Sequence, residues 1–314
     1  MSYWEGKKIL VTGGAGFLGR HLINKLKDRG IDPHMIKVPR SSSCDLRFIE
    51  NCREAVKGID IVFHLAARVG GIEYNRTHPG SLFYDNASMG LNLLEAARLE
   101  GVEKVLNVGS VCAYPRDVPI PTKEEHLWLG YPEESNAAYG ISKKVVLVQS
   151  QAYRKQYGFN SIYLLLANLY GPGDNFNLEE SHVLPALIRR MTEAKEKMAE
   201  KVLLWGTGRA TRDFLYVKDA AEGIIQAMEK YNKGEPVNLA SGHETSIREL
   251  SEIIKNQVGF AGEIRWDTSK PDGQPRRLFD ISLAHKEFCF NPSTSFEDGL
   301  ADSIKWFNEH RLGD

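Results

Sequence analysis

Short apolar runs alternate with amphipathic stretches along the first half of this chain, and the two periods predict strands and helices in turn. Lys7–Thr12 is a short apolar strand, after which Phe17, Leu18, Leu22, Ile23 and Leu26 recur at helical spacing until Gly30 stops them. Further strands are expected at His34–Val38, Ile59–Leu65, Lys104–Val108 and Ser161–Leu166, with helices at Ala87–Leu99 and Ala138–Tyr157 between the later ones. After residue 170 the rhythm loosens. A helix is expected over His182–Met198, strands at Lys201–Trp205 and Phe214–Val217, and a helix over Asp219–Lys230. Val237–Ala240 is a last strand that rejoins the main sheet, and the C-terminal third mixes short helices with turns such as Lys270-Pro271-Asp272-Gly273.

Gly13-Gly14-Ala15-Gly16-Phe17-Leu18-Gly19 occupies the first strand-to-helix turn, the setting a dinucleotide fingerprint requires. Gly13 permits the tight turn, Gly16 lets backbone approach a pyrophosphate, and Gly19 lets the helix pack on the strand. Phosphate then meets the free N–H groups of a helix N-terminus. The expected fold is α/β, a Rossmann doubly wound parallel sheet with a smaller C-terminal α/β substrate domain. Residues 1–170 form the dinucleotide-binding unit, with 207–245 returning to it; residues 171–206 and 246–314 form the substrate-binding unit. The second strand runs into Pro39-Arg40-Ser41-Ser42-Ser43, with no carboxylate for a ribose diol but with donors suited to a 2′-phosphate. NADP(H) is therefore expected over NAD(H).

Net charge is −1, from 40 basic and 41 acidic residues, so no global field argues for nucleic acid or a membrane surface as partner. No apolar run is long enough to span a bilayer and no secretory leader is expected. The four cysteines, Cys44, Cys52, Cys112 and Cys289, form no C-x-x-C motif, and the nine histidines form no ligand cluster, so no metal is expected. A reducing, cytoplasmic setting follows.

Against that neutral background one constellation carries chemistry. Tyr139 and Lys143 share a helix face, and an ammonium beside a phenol is expected to lower a pKa that starts near roughly 10. Ser110 lies at the carboxyl end of a strand, where open α/β sheets place ligands, and Cys112 follows it.

Together with Gly109-Ser110-Val111-Cys112-Ala113-Tyr114-Pro115, Asn168-Leu169-Tyr170-Gly171-Pro172-Gly173-Asp174-Asn175-Phe176, Ser181-His182-Val183-Leu184-Pro185 and Arg212–Asp219, these residues resemble the extended short-chain dehydrogenase/reductase family. Within it the chain is most similar to the GDP-4-keto-6-deoxymannose epimerase/reductases. The resemblance implies a triad of Ser110, Tyr139 and Lys143 that reduces a ketone at sugar carbon 4. It also implies an epimerising pair, Cys112 and His182, at carbons 3 and 5. It places the cofactor on Gly13, Gly16, Phe17, Leu18, Gly19, Arg40, Asp45, Leu46, Leu65, Ala66 and Ala67, with Tyr139 and Lys143 at the nicotinamide. A nucleotide-diphosphate sugar, with guanine the favoured base, would rest on Asn168, Arg190, Trp205, Arg212 and Arg277. Family members pair through helices matching Ala87–Leu99 and Ala138–Tyr157, so a homodimer is expected.

The chain departs from the pattern at Ala167, where proline is usual, and at Arg277, where lysine is usual. An enzyme carrying out only the 4-reduction or only the 3,5-epimerisation, on a different keto sugar, is the open alternative. From another class, a dinucleotide-binding protein without catalysis is disfavoured by intact Ser110, Tyr139 and Lys143. Turnover with each cofactor tests the reading of Arg40: NADPH is expected to be strongly preferred, and a strong preference for NADH would reject it.

Overall fold

Strands apolar along their whole length must lie in a sheet that helices cover on both faces. The computed structural model of the protein describes residues 3–178, 181–270 and 272–311; Pro271 of the expected turn lies outside them. In chain order the elements begin with β1 (Ile9–Thr12), α1 (Phe17–Asp28), β2 (Ile36–Lys37), α2 (Ile49–Val56), β3 (Ile61–His64), α3 (Ile72–Thr77), α4 (Pro79–Leu99), β4 (Lys104–Ser110) and α5 (Ala137–Tyr157). There follow β5 (Ser161–Leu166), β6 (Asn168–Tyr170), α6 (Val183–Glu196), β7 (Lys201–Trp205), β8 (Thr211–Arg212), β9 (Phe214–Tyr216) and α7 (Val217–Lys230). Then come β10 (Val237–Leu239), β11 (Thr245–Ser246), α8 (Ile247–Val258), β12 (Glu263–Asp267), α9 (Ser282–Phe288) and α10 (Phe296–His310).

Six strands form a parallel sheet in the order β10-β5-β4-β3-β1-β2. The alternation of side chains along each strand divides the core in two. Ile9, Val11, Ile61 and Phe63 join Leu22, Leu26 and the buried face of α7, while Leu10, Val62 and Val105 pack with α2 and α4. The winding direction changes between β1 and β3, which opens a crevice at their carboxyl ends. A separate core joins α6, α8 and α10 to β7 and β9 through Ile188, Met191, Leu250, Ile254, Leu300 and Phe307. β10 gathers the loops at its edge of the sheet. Its Asn238 side chain accepts the Tyr114 hydroxyl at 2.7 Å and donates to Thr122 O and Asp280 O at 3.0 and 3.1 Å.

Several boundaries differ from the sequence expectation, each for a local reason. α4 starts at Pro79 rather than Ala87, because proline at the first turn supplies the start and Gly80-Ser81 hides the apolar period. Val217 opens α7 instead of ending a strand, with Tyr216 in extended conformation as its N-cap. The C-terminal helices are not all short: α8 has 12 residues and α10 has 15, each begun by a serine whose hydroxyl accepts the N–H three residues on. β12 pairs in parallel with β7, and β6 with β9, outside the main sheet. Among the described residues no helix is long and apolar enough to cross a membrane.

α4 and α5 lie side by side on one face of the sheet, and a Cβ on Gly90 of α4 would fall 2.3 Å from Val146 Cγ2. Gly90→Ala is therefore expected to lower unfolding free energy by about 1–3 kcal/mol through overpacking, despite a helix-propensity gain of about 1 kcal/mol. Denaturant titration measures it, and adding Val146→Ala should recover part of the loss.

Candidate active site

The carboxyl ends of β1, β3 and β4 set the site. Gly13 has φ +69°, and a Cβ there would lie 2.8 Å from the Ala66 nitrogen, so the first loop presses against the one after β3. A Cβ on Gly19 would meet Gly13 O at 2.3 Å. α1 has no side-chain cap and no acid in its first turn, and Gly16 at its N-cap is exposed. Such a cradle leaves free N–H groups facing outward and fits an anionic dinucleotide. Phe17 and Leu18 are half-buried in the first turn of α1. Thr12 Oγ1 lies 2.9 Å from His64 Nδ1 and accepts the Ala66 N–H at 3.2 Å, which fixes Leu65-Ala66-Ala67 beside the glycines. Arg40 is exposed and forms no ion pair among the described residues. Asp45, in contrast, is held by Arg47 through Nε and Nη2 at 3.0 and 2.6 Å, and Leu46 beside it is buried.

On the other side of the crevice, Ser110 ends β4 and caps a short 3-10 turn, its hydroxyl accepting the Cys112 N–H at 3.2 Å. The Ser110 hydroxyl also lies close enough to the Tyr139 phenol to favour its ionised form. Cys112 lies close enough to Tyr139, Arg212 and Arg277 to act on the charge of each. Lys143 is buried, with its ammonium 5.8 Å from the Tyr139 ring centroid and donating to Val108 O at 3.0 Å. The expectation that Lys143 lowers the Tyr139 pKa is overturned. Burial raises the phenol, Cys112 adds to the rise, and only the nearby Ser110 hydroxyl opposes it. Burial also lowers the Lys143 ammonium to about 8, and its proton is committed to a backbone carbonyl.

The guanidinium groups of Arg212 and Arg277 are half-buried, their pKa values lowered first by desolvation. Arg212 Nη1 donates to Thr211 O and Gln274 O at 2.7 Å, and Arg277 Nη1 to Pro115 O at 3.1 Å. Asn168 opens β6 and reaches Asp213 O at 3.5 Å. Arg190 is half-buried on α6. Trp205 ends β7 and is 66% exposed, with Lys270 Nζ 5.6 Å above its ring. His182 is the N-cap of α6, with no side-chain cap bond. It stays open to solvent, yet surrounding protein desolvates the imidazole enough to lower its pKa, as in a residue lining a cleft. The structure thus brings Ser110, Cys112, Tyr139, Lys143, Arg212 and Arg277 together. No bond joins His182, Trp205, Arg190 or Arg40 to that cluster among the described residues.

Two positioning carboxylates escaped the sequence reading. Asp213, fully buried, accepts Ser241 N, Ser241 Oγ and Gly242 N at 2.8, 2.6 and 3.1 Å and so anchors the backbone next to Arg212. Asp272 accepts Thr207 N and Oγ1 at 2.5 and 2.6 Å, tying the turn after Trp205 to the segment that carries Arg277. Their only local signal was the Arg212-Asp213 pair and the Asp272-Gly273 turn.

Residues 9–240 match the NAD dependent epimerase/dehydratase family. "GDP-L-fucose synthase 1" of Arabidopsis thaliana is 39% identical over 304 residues, 96% of this chain and 94% of that protein. A GDP-6-OMe-4-keto-L-xylo-heptose reductase from C. jejuni superposes with TM-score 0.90 at 27% identity, over 96% of this chain and 98% of that one. A GDP-L-fucose synthetase from Naegleria fowleri bound to NADP has TM-score 0.88 at 30% identity, over 100% of this chain and 97% of that one.

The buried ammonium has a consequence for stability. Below a pH of about 8 the folded and unfolded chains both keep the Lys143 proton, so the cost of burying its charge is present in full. Between about 8 and the unfolded lysine value near roughly 10.4, the folded chain releases its proton first and stability rises with pH. Lys143→Met is expected to stabilise the protein without dinucleotide by about 2 kcal/mol at neutral pH, allowing for the lost bond to Val108. That gain should fade as the pH approaches roughly 10. Urea unfolding across this range checks it, and a variant no more stable at neutral pH would contradict it.

Proposed function

The chain belongs to the NAD dependent epimerase/dehydratase family, and from that premise we propose that it is an NADPH-dependent epimerase/reductase of a nucleotide-4-keto-6-deoxy sugar, working as a GDP-L-fucose synthase does. The observation that carries the reading is the gathering of Ser110, Cys112 and Tyr139 at the carboxyl end of β4, where Ser110 Oγ accepts the Cys112 N–H at 3.2 Å and the Lys143 ammonium lies 5.8 Å from the Tyr139 ring centroid.

The glycines at 13, 16 and 19 and the N-terminus of α1 hold the pyrophosphate, and Arg40 meets the 2′-phosphate. Leu46, Leu65, Ala66 and Ala67 flank the adenosine, and Lys143 holds the nicotinamide ribose. When bound, the cofactor supplies the hydride for carbon 4. Tyr139 keeps its proton at neutral pH because burial raises its pKa, so the phenol is an acid ready to protonate the oxygen on carbon 4. Ser110 donates to the same oxygen. Hydrogens on carbons 3 and 5 are acidic only while carbon 4 is a ketone, which places epimerisation before reduction. His182, neutral through desolvation, takes and returns such a proton with Cys112 as its partner, while Ser110 and Tyr139 stabilise the enolate oxygen. Arg212 and Arg277, with Arg190, hold the sugar diphosphate, Trp205 stacks on the base, and Asn168 orients the sugar.

Residues 1–170 with 207–245 form the dinucleotide-binding unit, and 171–206 with 246–314 the substrate unit; the separate core around α6, α8 and α10 supports this division, although β9 lends Phe214 and Tyr216 to it and α9 lends Ala284 and Phe288 to the main core. Exposed Phe83, Tyr84, Val148 and Tyr157 on α4 and α5 support pairing with a second copy. Free cysteines throughout suit a cytoplasmic setting. A second reading, reduction of carbon 4 alone, draws on the likeness to the heptose reductase.

Incubation with NADPH and a GDP-4-keto-6-deoxy sugar in deuterated water, read by NMR, separates the two. The proposed reaction inverts and labels carbons 3 and 5 before reduction. Cys112→Ser and His182→Gln are each expected to slow labelling by about 100-fold or more, with reduction retained. Labelling unchanged in both variants would remove Cys112 and His182 as the epimerising pair, and a wild-type product without label would leave only the reductase.

A further inference from the structure

We propose that Asp85 on α4 is a positioning residue that locks together the loops after β2 and β3, and thereby sets the affinity of the adenosine half of the dinucleotide site. The inference rests on the dinucleotide reading above. Asp85 Oδ1 accepts Arg47 Nη1 at 3.1 Å, and its Oδ2 accepts Arg68 Nη1 at 2.7 Å. Arg47 belongs to the loop after β2 and Arg68 to the loop after β3. The Asp85 side chain is only 8% accessible, against 42% and 43% for the two arginines, so a buried anion on a rigid helix grips two loop residues from beneath.

Neighbouring asparagines of α4 hold the same two residues by their backbone. Asn86 accepts Arg68 N at 3.0 Å and donates to Arg68 O at 2.9 Å, while Asn92 donates to Arg47 O at 2.7 Å. The free end of Arg47 grips Asp45, so the position of Asp45 is passed through Arg47 and Asp85 to Arg68 and Ala66-Ala67. Charge bookkeeping adds a second point. Asp45, Arg47, Asp85 and Arg68 sum to zero, which commits two of the three cations on this rim and leaves exposed Arg40 as the free one among the described residues.

Positioning and simple electrostatics predict opposite results for Asp85→Asn. Removing an anion would strengthen NADPH binding if charge alone mattered. Losing the clamp weakens NADPH and NADH alike, by about tenfold for one charge-assisted hydrogen bond. Fluorescence titration of each dinucleotide with wild type and D85N reads this directly, with circular dichroism checking the fold. Steady-state kinetics should show a higher KM for NADPH, while kcat and the sugar KM stay within about twofold. Asp85→Glu, which keeps the charge, should recover part of the affinity. Arg68→Gln opens the same clamp from its exposed end and serves if D85N does not fold; its loss should again be equal for both dinucleotides. A folded D85N with unchanged or tighter NADPH binding overturns the clamp alone, as does an R68Q loss confined to NADPH. A wild-type protein that binds neither dinucleotide overturns the clamp and the dinucleotide reading together.

Discussion

Everything in the site depends on how closely α5 approaches the carboxyl end of β4. A Cβ on Gly140 would lie 2.6 Å from Cys112 O, and one on Gly109 would lie 2.3 Å from the Tyr163 ring, so both glycines are needed for this contact. The Tyr163 hydroxyl then donates to Lys143 O at 2.8 Å, and Lys143 itself reaches Val108 O. This approach brings Tyr139, Ser110 and Cys112 near one another. The same closeness removes water, and desolvation becomes the main electrostatic force on Tyr139 and Lys143.

That environment sets the protonation of the groups on which the proposed chemistry rests. A phenol kept protonated and a thiol close to two arginines stand together there, while desolvation shifts the His182 imidazole at the N-terminus of α6 toward its neutral form. The burial costs stability, most plainly at Lys143, and the sheet covers the cost because its strands are packed on both faces. The loops around the pocket are held by buried carboxylates and amides: Asp213 beside Arg212, Asn238 beneath the 115–136 loop, and Asp85 beneath the loops after β2 and β3.

Much of the first half of the fold was legible because β1, β3, β4 and β5 are nearly uniform apolar runs separated by amphipathic helices. The glycine turn was legible because a steric demand, such as the contact of Gly13 with Ala66, leaves a residue type behind it. Helices α2 and α3 were not, since they are short and mostly polar on the surface. The direction of the Tyr139 shift was misjudged for a different reason. The four-residue spacing to Lys143 is a local fact, whereas the burial that outweighs it comes from β4, β5 and the loop around Cys112.

The sequence by itself determined which residues can do acid–base work, where a backbone must turn without a side chain, and how strand and helix alternate, because each of these depends on neighbours in the chain. Only the tertiary structure decided that Cys112 lies near Arg212 and Arg277, that Lys143 loses part of its basicity, and that Asp85 joins two loops. Those outcomes depend on dielectric and distance between residues far apart in sequence, and neither quantity exists until the chain has folded.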